Sequence, residues 1–262
     1  MTTNAPVTSN QTSAPSRVYA EPHRWALRFW ARAFRRFGRW LFITRHVKRF
    51  CRPLSLEGIE NFERLRGRSA LIIANHTSHF DTAIALGVLP GRLYNRTAVV
   101  AAADRFYTQR LKSAWYSLRY NAFPITRGGG RAALAYSEWL LQNGWSLLIF
   151  PEGTRSKTGD LLPFHPGPAI LALGQHMPVL PMYMDGASNI LPPKTKNSRP
   201  AAVKVRIGEP LEFADGTTIP EANRLMEDAV RALSGRPLPQ PPVTTIELAL
   251  AEDREPAGAL TR

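Results

Sequence analysis

Residues 71–86 read LIIANHTSHFDTAIAL, and the fold class turns on how they divide. Residues 71–74 form a short apolar run bounded by charged sequence, which suits a buried strand, and residues 82–86 suit the start of a helix. NHTSHFD, residues 75–81, therefore occupies a strand-to-helix turn. His76 and Asp81 are five positions apart. On an ideal helix that puts them roughly 140° out of phase, so only a turn can bring them together. Two readings are open. His76 could be a base oriented by Asp81, or Ser78-x-x-Asp81 could be a capping box with His76 and His79 as polar turn residues. A metal site is not expected, because H-T-S-H-F-D is not a helical His pair four apart and no other His or Cys motif supplies ligands.

Outward from this turn, apolar runs at 70–74, 98–103, 146–150, 179–184 and 203–207 alternate with helical patterns at 82–89, 131–142 and 221–233. Strands alternating with helices predict an α/β core. Gly144 and Gly235 follow two of the helical patterns, as C-terminal caps do. With 262 residues, 44% of them hydrophobic, the chain can bury one full core. That core is expected over 54–235. Residues 1–20, rich in Ser, Thr, Asn and Pro without an apolar h-region, read as a disordered tail and not a signal peptide. Pro237, Pro239, Pro241 and Pro242 mark 236–262 as a Pro-rich, loosely ordered tail. Cys51 is the single cysteine, which excludes an intramolecular disulfide and a cysteine-based zinc site and points to a reducing compartment.

The charge is uneven. The 34 basic and 20 acidic residues give a formal +14, which points to anionic partners: nucleic acid, a membrane surface or phosphorylated small molecules. Residues 21–52 hold +9 of it, ten basic residues against one acid. On a helical wheel Arg24, Arg28, Arg32, Arg35 and Arg39 fall opposite Ala26, Leu27, Trp30, Ala33, Phe34, Phe37 and Leu41. The pattern fails near Thr44, so a second, shorter helix is predicted up to Pro53. Arginine on one face with Trp and Phe on the other suits the headgroup layer of an anionic bilayer. A nucleic-acid-binding helix needs only the basic face, and a core-packed helix leaves its arginines merely solvated. Residues 21–53 are thus read as an amphipathic membrane anchor, with Trp30, Phe34 and Phe37 inserted and Arg28, Arg32 and Arg35 at the headgroups. No run reaches the roughly 18 apolar residues of a spanning helix. Peripheral attachment to the cytoplasmic face of a membrane is expected, with no nucleic-acid partner.

Residues 150–156 read FPEGTRS at the end of the apolar run SLLIF, residues 179–181 read VLP, and residues 124–129 read PITRGG. With NHTSHFD, and in this order and separation, they resemble the motifs of the glycerolipid acyltransferase family across residues 56–211. PITRGG looks like a divergent form of the second motif. The resemblance implies an α/β fold with a mixed sheet flanked by helices. It implies that His76 deprotonates an acceptor hydroxyl while Asp81 orients it, and that Arg127, Glu152, Gly153, Thr154 and Arg155 hold a phosphate-bearing acceptor. The implied donor is acyl-coenzyme A or acyl carrier protein, and no cofactor is implied. The implied acceptor is a lysophospholipid, lysophosphatidic acid first, with another lysophospholipid or a lyso-aminolipid as the alternative.

The residue types suit that chemistry. Acyl transfer from a thioester to an alcohol needs a base, an acid that fixes its tautomer, and positive or N–H groups for developing charge, but no protein nucleophile. No G-x-S-x-G elbow occurs and Cys51 lies in the basic segment, so a covalent hydrolase mechanism has no candidate. Gly128-Gly129-Gly130 after Arg127 could offer free amides to a phosphate, though such a run is most often a loop. Glu152 and Arg155 could instead pair with each other. His165 and His176 read as polar loop residues, and Met182 and Met184 as core strand. A non-catalytic basic protein would leave the joint occurrence of NHTSHFD and FPEGTRS without a reason.

Overall fold

The computed structural model describes residues 21–235 apart from 193, 194 and 196, so the tails expected at 1–20 and 236–262 lie outside the described residues. The strands are β1 (Cys51–Glu57), β2 (Leu71–Ala74), β3 (Thr97–Ala102), β4 (Ala122–Ile125), β5 (Ser146–Ile149), β6 (Val179–Asp185) and β7 (Ala201–Ile207). They form one sheet in the order β1-β7-β6-β2-β5-β3-β4. Every neighbouring pair is parallel except β6 and β7. The sheet is therefore mixed. β2 and β5 are buried along their whole length, which is why they read as continuous apolar runs.

The helices are α1 (Phe29–Arg39), α2 (Arg45–Phe50), α3 (Asn61–Arg64), α4 (Asp81–Val88), α5 (Gly91–Asn95), α6 (Ala103–Phe106), α7 (Arg110–Tyr120), α8 (Ala135–Gln142), α9 (Gly167–Gln175) and α10 (Ile219–Leu233). Alternation along β2 divides the core. Ile72 and Ala74 pack with Ile43, Val47 and with Ile84 of α4 on one face, while Leu71 and Ile73 pack with Leu140 of α8, Leu171 of α9 and Met226 of α10 on the other. The pattern expected over 131–142 resolves into a 3-10 turn, Arg131–Leu134, followed by α8. Gly144 has φ of +73°, the left-handed conformation expected just past that helix.

The N-terminal segment differs in detail from its helical wheel. α1 runs through a five-residue π turn, Trp40–Thr44, straight into α2. The buried positions are Ala31, Arg35, Gly38, Ile43 and Val47. Their spacing of three or four breaks only between Gly38 and Ile43, where the wider turn absorbs one additional residue and keeps the same face toward the body. Arg35 is a correction to the expected headgroup set: it is 8% exposed and its Nη2 donates to the Ala26 carbonyl at 2.7 Å. Burial lowers its pKa to about 10. The reason is that α1 rests on the body through its small residues, and Arg35 lies between them. Trp30, Phe34 and Phe37 face outward, as do Phe29 and Trp40. β1 begins at Cys51, directly after α2, so the sheet starts three residues before the expected domain boundary at 54.

Candidate active site

At the end of β2 the side chain of Asn75 continues the pairing with β6. Its Oδ1 accepts from the Met184 amide at 2.7 Å and its Nδ2 donates to the Met184 carbonyl at 3.0 Å. The chain then turns, and Asp81 opens α4 fully buried. One of its oxygens, Oδ2, gathers three donors: His76 Nδ1 at 2.8 Å, the Thr77 amide at 2.6 Å and the Ser78 amide at 2.7 Å. The two readings of the turn are thus one arrangement. The carboxylate that reaches back to the Ser78 amide, as in a capping box, is the one that holds the imidazole. Because a carboxylate only accepts, Nδ1 carries the proton and Nε2 remains the basic nitrogen. The His76 ring also stacks on Phe150 with centroids 4.2 Å apart.

FPEGTRS braces this turn from behind. Glu152, expected beside the acceptor, is buried and takes no part in the cavity lining. Its Oε1 accepts the His76 amide at 2.6 Å and its Oε2 the Leu162 amide at 3.0 Å, so it is not paired with Arg155 either. This is a correction: the two amides claim the carboxylate before a substrate could. Burial pushes the Glu152 carboxyl up to about 7, against the lowering effect of those amides. The Ser156 amide donates to the His76 carbonyl at 2.8 Å, which closes the bracket. Gly153 has φ of +64°, and a Cβ there would lie 2.8 Å from His165 Cδ2. Only glycine fits. His165, read from sequence as a polar loop residue, packs over this turn of the motif.

In front of His76 lies a cavity of about 490 Å³. Gly153, Thr154, Arg155 and Arg127 line it with His76, which brings together all the expected site residues except the two buried carboxylates. Arg105, at α6, joins them and lies in none of the quoted motifs. Nothing in its local sequence distinguishes it from any other surface arginine. His79 also lines the cavity, its pKa lowered by burial and then by Arg155 and Arg105, which favours its neutral form. Arg127 is exposed and holds Asp104 at 3.3 Å, an ion pair of little net worth that a phosphate can displace. In the glycine run the Gly129 amide is already used, donating to the Thr126 carbonyl at 3.2 Å. Beyond these the walls are largely apolar, with Phe80, Ala83, Val99, Tyr116 and Tyr120, and a fourth arginine, Arg119, lies over the Tyr120 ring at 5.0 Å.

Residues 54–185, half of the chain, match the family model described as acyltransferase. The chain belongs to the acyltransferase family. Both NHTSHFD and FPEGTRS fall inside the matched acyltransferase region, which runs from within β1 to the end of β6. Similar curated acyltransferases include a 1-acyl-sn-glycerol-3-phosphate acyltransferase of Cocos nucifera, 32% identical over 167 residues that make up 62% of this chain and 51% of that one. Another, from Bacillus subtilis (strain 168), is 29% identical over 178 residues, 66% of this chain and 83% of that one. The chain spans about half the length of the plant relatives it matches. The crystal structure of the 1-acyl-sn-glycerophosphate (LPA) acyltransferase PlsC from Thermotoga maritima shares the fold. Its TM-score is 0.61 at 24% identity, over 82% of this chain and 83% of that one.

Proposed function

We propose that this acyltransferase moves a fatty acyl group from a thioester of coenzyme A or acyl carrier protein to the free hydroxyl of lysophosphatidic acid. The observation that carries the reading is a single cavity lined by His76, which Asp81 holds from behind, with Arg105, Arg127 and Arg155 among its four arginines and a largely apolar remainder. His76 Nε2 takes the hydroxyl proton as the acceptor oxygen attacks the thioester carbonyl carbon. The C–O bond forms, the C–S bond breaks, and the thiolate leaves to be protonated. Asp81 holds the imidazole in the productive tautomer and stabilises its positive charge once it is protonated. Arg155, Arg127 and Arg105 suit a phosphate monoester, since a guanidinium can grip two of its oxygens. The apolar walls suit an acyl chain.

The relatives' names support the acceptor assignment, because those proteins are named for 1-acyl-sn-glycerol-3-phosphate. Peripheral attachment to the cytoplasmic face of an anionic membrane belongs to the same reading. It is supported by the outward aromatic ridge of α1, where Phe37 is 91% exposed beside the exposed Arg28 and Arg36. No helix among the described residues is long and apolar enough to cross a membrane. The deciding experiment measures free thiol released from acyl-coenzyme A. Release that requires added lysophosphatidic acid supports the proposal; release without any acceptor, or none with a panel of lysolipids and either donor, overturns it.

A further inference from the structure

The exposed apolar surface does not stop at the N-terminal helix. α7 has two faces: Tyr116 and Tyr120 line the cavity, whereas Leu111 is 86% exposed and Trp115, one turn on, is 43% exposed. An isolated exposed leucine needs no explanation, but a contiguous patch does. Trp115 meets Phe42 of the π turn edge-on at 5.7 Å, and Phe42 stacks on Phe34 of α1 at 5.9 Å between centroids. Arg119, on the same helix as Trp115, donates Nη2 to the Phe42 carbonyl at 2.8 Å and fastens the two segments together. The aromatic ridge of α1 therefore continues across Phe42 onto Trp115 and Leu111, some seventy positions further along the chain.

Charge selects the occupant. Arg110 and Lys112 flank Leu111, α7 contains no acid, and no acid lies between Glu21 and Glu57. A second copy of the chain would bring an equally basic rim against this one, whereas anionic headgroups complement it. We propose that the Leu111–Trp115 face of α7 inserts into the same anionic lipid surface as α1, so that the membrane-binding surface is bipartite and one wall of the cavity stands at headgroup level. The proposal rests on the peripheral-membrane reading above.

Leu111→Cys in the full chain provides the probe. Cys51 is buried and its thiol is pushed up to about 11, so an environment-sensitive fluorophore labels position 111. Vesicles of phosphatidylglycerol and phosphatidylcholine are expected to shift its emission to the blue, and brominated acyl chains to quench it. Leu111→Asp is expected to weaken cosedimentation with these vesicles about ten-fold, and Leu111→Phe to preserve it. Labelled protein that sediments with vesicles while its emission stays that of water overturns the role of α7 and leaves the α1 anchor standing. Failure to sediment at all overturns both. A blue shift without lipid that grows with protein concentration identifies a second copy as the occupant and also overturns the proposal.

Discussion

The turn at 75–81 and the helical segment at 29–50 become ordered by opposite routes. In the turn, one buried carboxylate oxygen satisfies His76, Thr77 and Ser78 within seven residues, so the local sequence contains both the donors and their acceptor. In the segment, the buried face is chosen by the body it rests on: Ala31, Arg35 and Gly38 face inward, and a π turn restores the phase for Ile43 and Val47. Chemistry concentrated in a few adjacent residues withstands substitution poorly. An interface spread over twenty positions should yield gradually.

The largest expected effect is in the turn. His76→Ala should lower transfer by about 10²–10⁴-fold or to background, with Asp81→Asn also strongly impaired and His79→Ala much less so. Thiol release with lysophosphatidic acid measures this, and thermal melting shows whether the fold persists. A folded His76→Ala protein of near-normal turnover would falsify the mechanism.

Next come the arginines. Arg155→Ala should raise the acceptor's KM about ten- to a hundred-fold, the equivalent of losing one charge-assisted bond of about 1.5–3 kcal/mol, with the donor's KM little changed. Arg127→Ala should cost less, since that side chain is exposed and shared with Asp104. Comparison with a phosphate-free monoacylglycerol makes the test specific: equal losses on both acceptors would remove the phosphate-reading role.

In the helical segment, replacing Trp30, Phe34 and Phe37 together by Ser should release the protein from anionic vesicles, and salt should weaken binding of the intact chain. Arg35→Met should leave vesicle binding unchanged while shifting the melting temperature, because this arginine is interior. If Arg35→Met sheds the protein from vesicles as the aromatic variant does, the contrast between the two faces of α1 fails.

The smallest effect concerns pH. A carboxyl raised to about 7 holds its proton more tightly in the fold than in the unfolded chain. The stability this contributes is complete below the unfolded value near 4.3 and is lost as pH rises through about 7. Glu152→Gln should remove that fall. It also sacrifices one of the two amide bonds at every pH, since a carboxamide offers a single acceptor oxygen. Urea unfolding of both proteins at pH 5 and pH 7.5 checks the sign: the difference between the two conditions should shrink in the variant.

What was legible in the sequence follows the same division. The α/β alternation, the strand at 71–74 and the meeting of His76 with Asp81 are short-range consequences of apolar runs and turn chemistry, and they are where the motifs put them. β4 is AFPI, whose Pro124 reads against a strand where the equally short β2 and β5 are unbroken apolar runs, and α7 mixes Ser, Tyr, Trp and Arg around the helix because one face meets a cavity and another is exposed. Glu152 reads as an acceptor contact or a partner of Arg155; its burial goes with the amides of His76 and Leu162, seventy-six and ten residues away, which local sequence does not show. Arg105 becomes part of the site only because β3 and β4 lie side by side at the sheet edge and bring α6 toward Arg127.

One junction has a mechanical consequence. α2 passes into β1 between Phe50 and Cys51 with no residue between them, and α1, the π turn and α2 rest on α4, α5 and α7. A domain on a slack tether would bob and tilt above the surface that holds it. This one joins its base without slack, so if lipid holds the aromatic ridge as proposed, the height and attitude of His76 are set by the fold. On that proposal, acceptors confined to a leaflet would arrive at a fixed elevation, and the search for the reactive hydroxyl would be reduced to sliding in a plane.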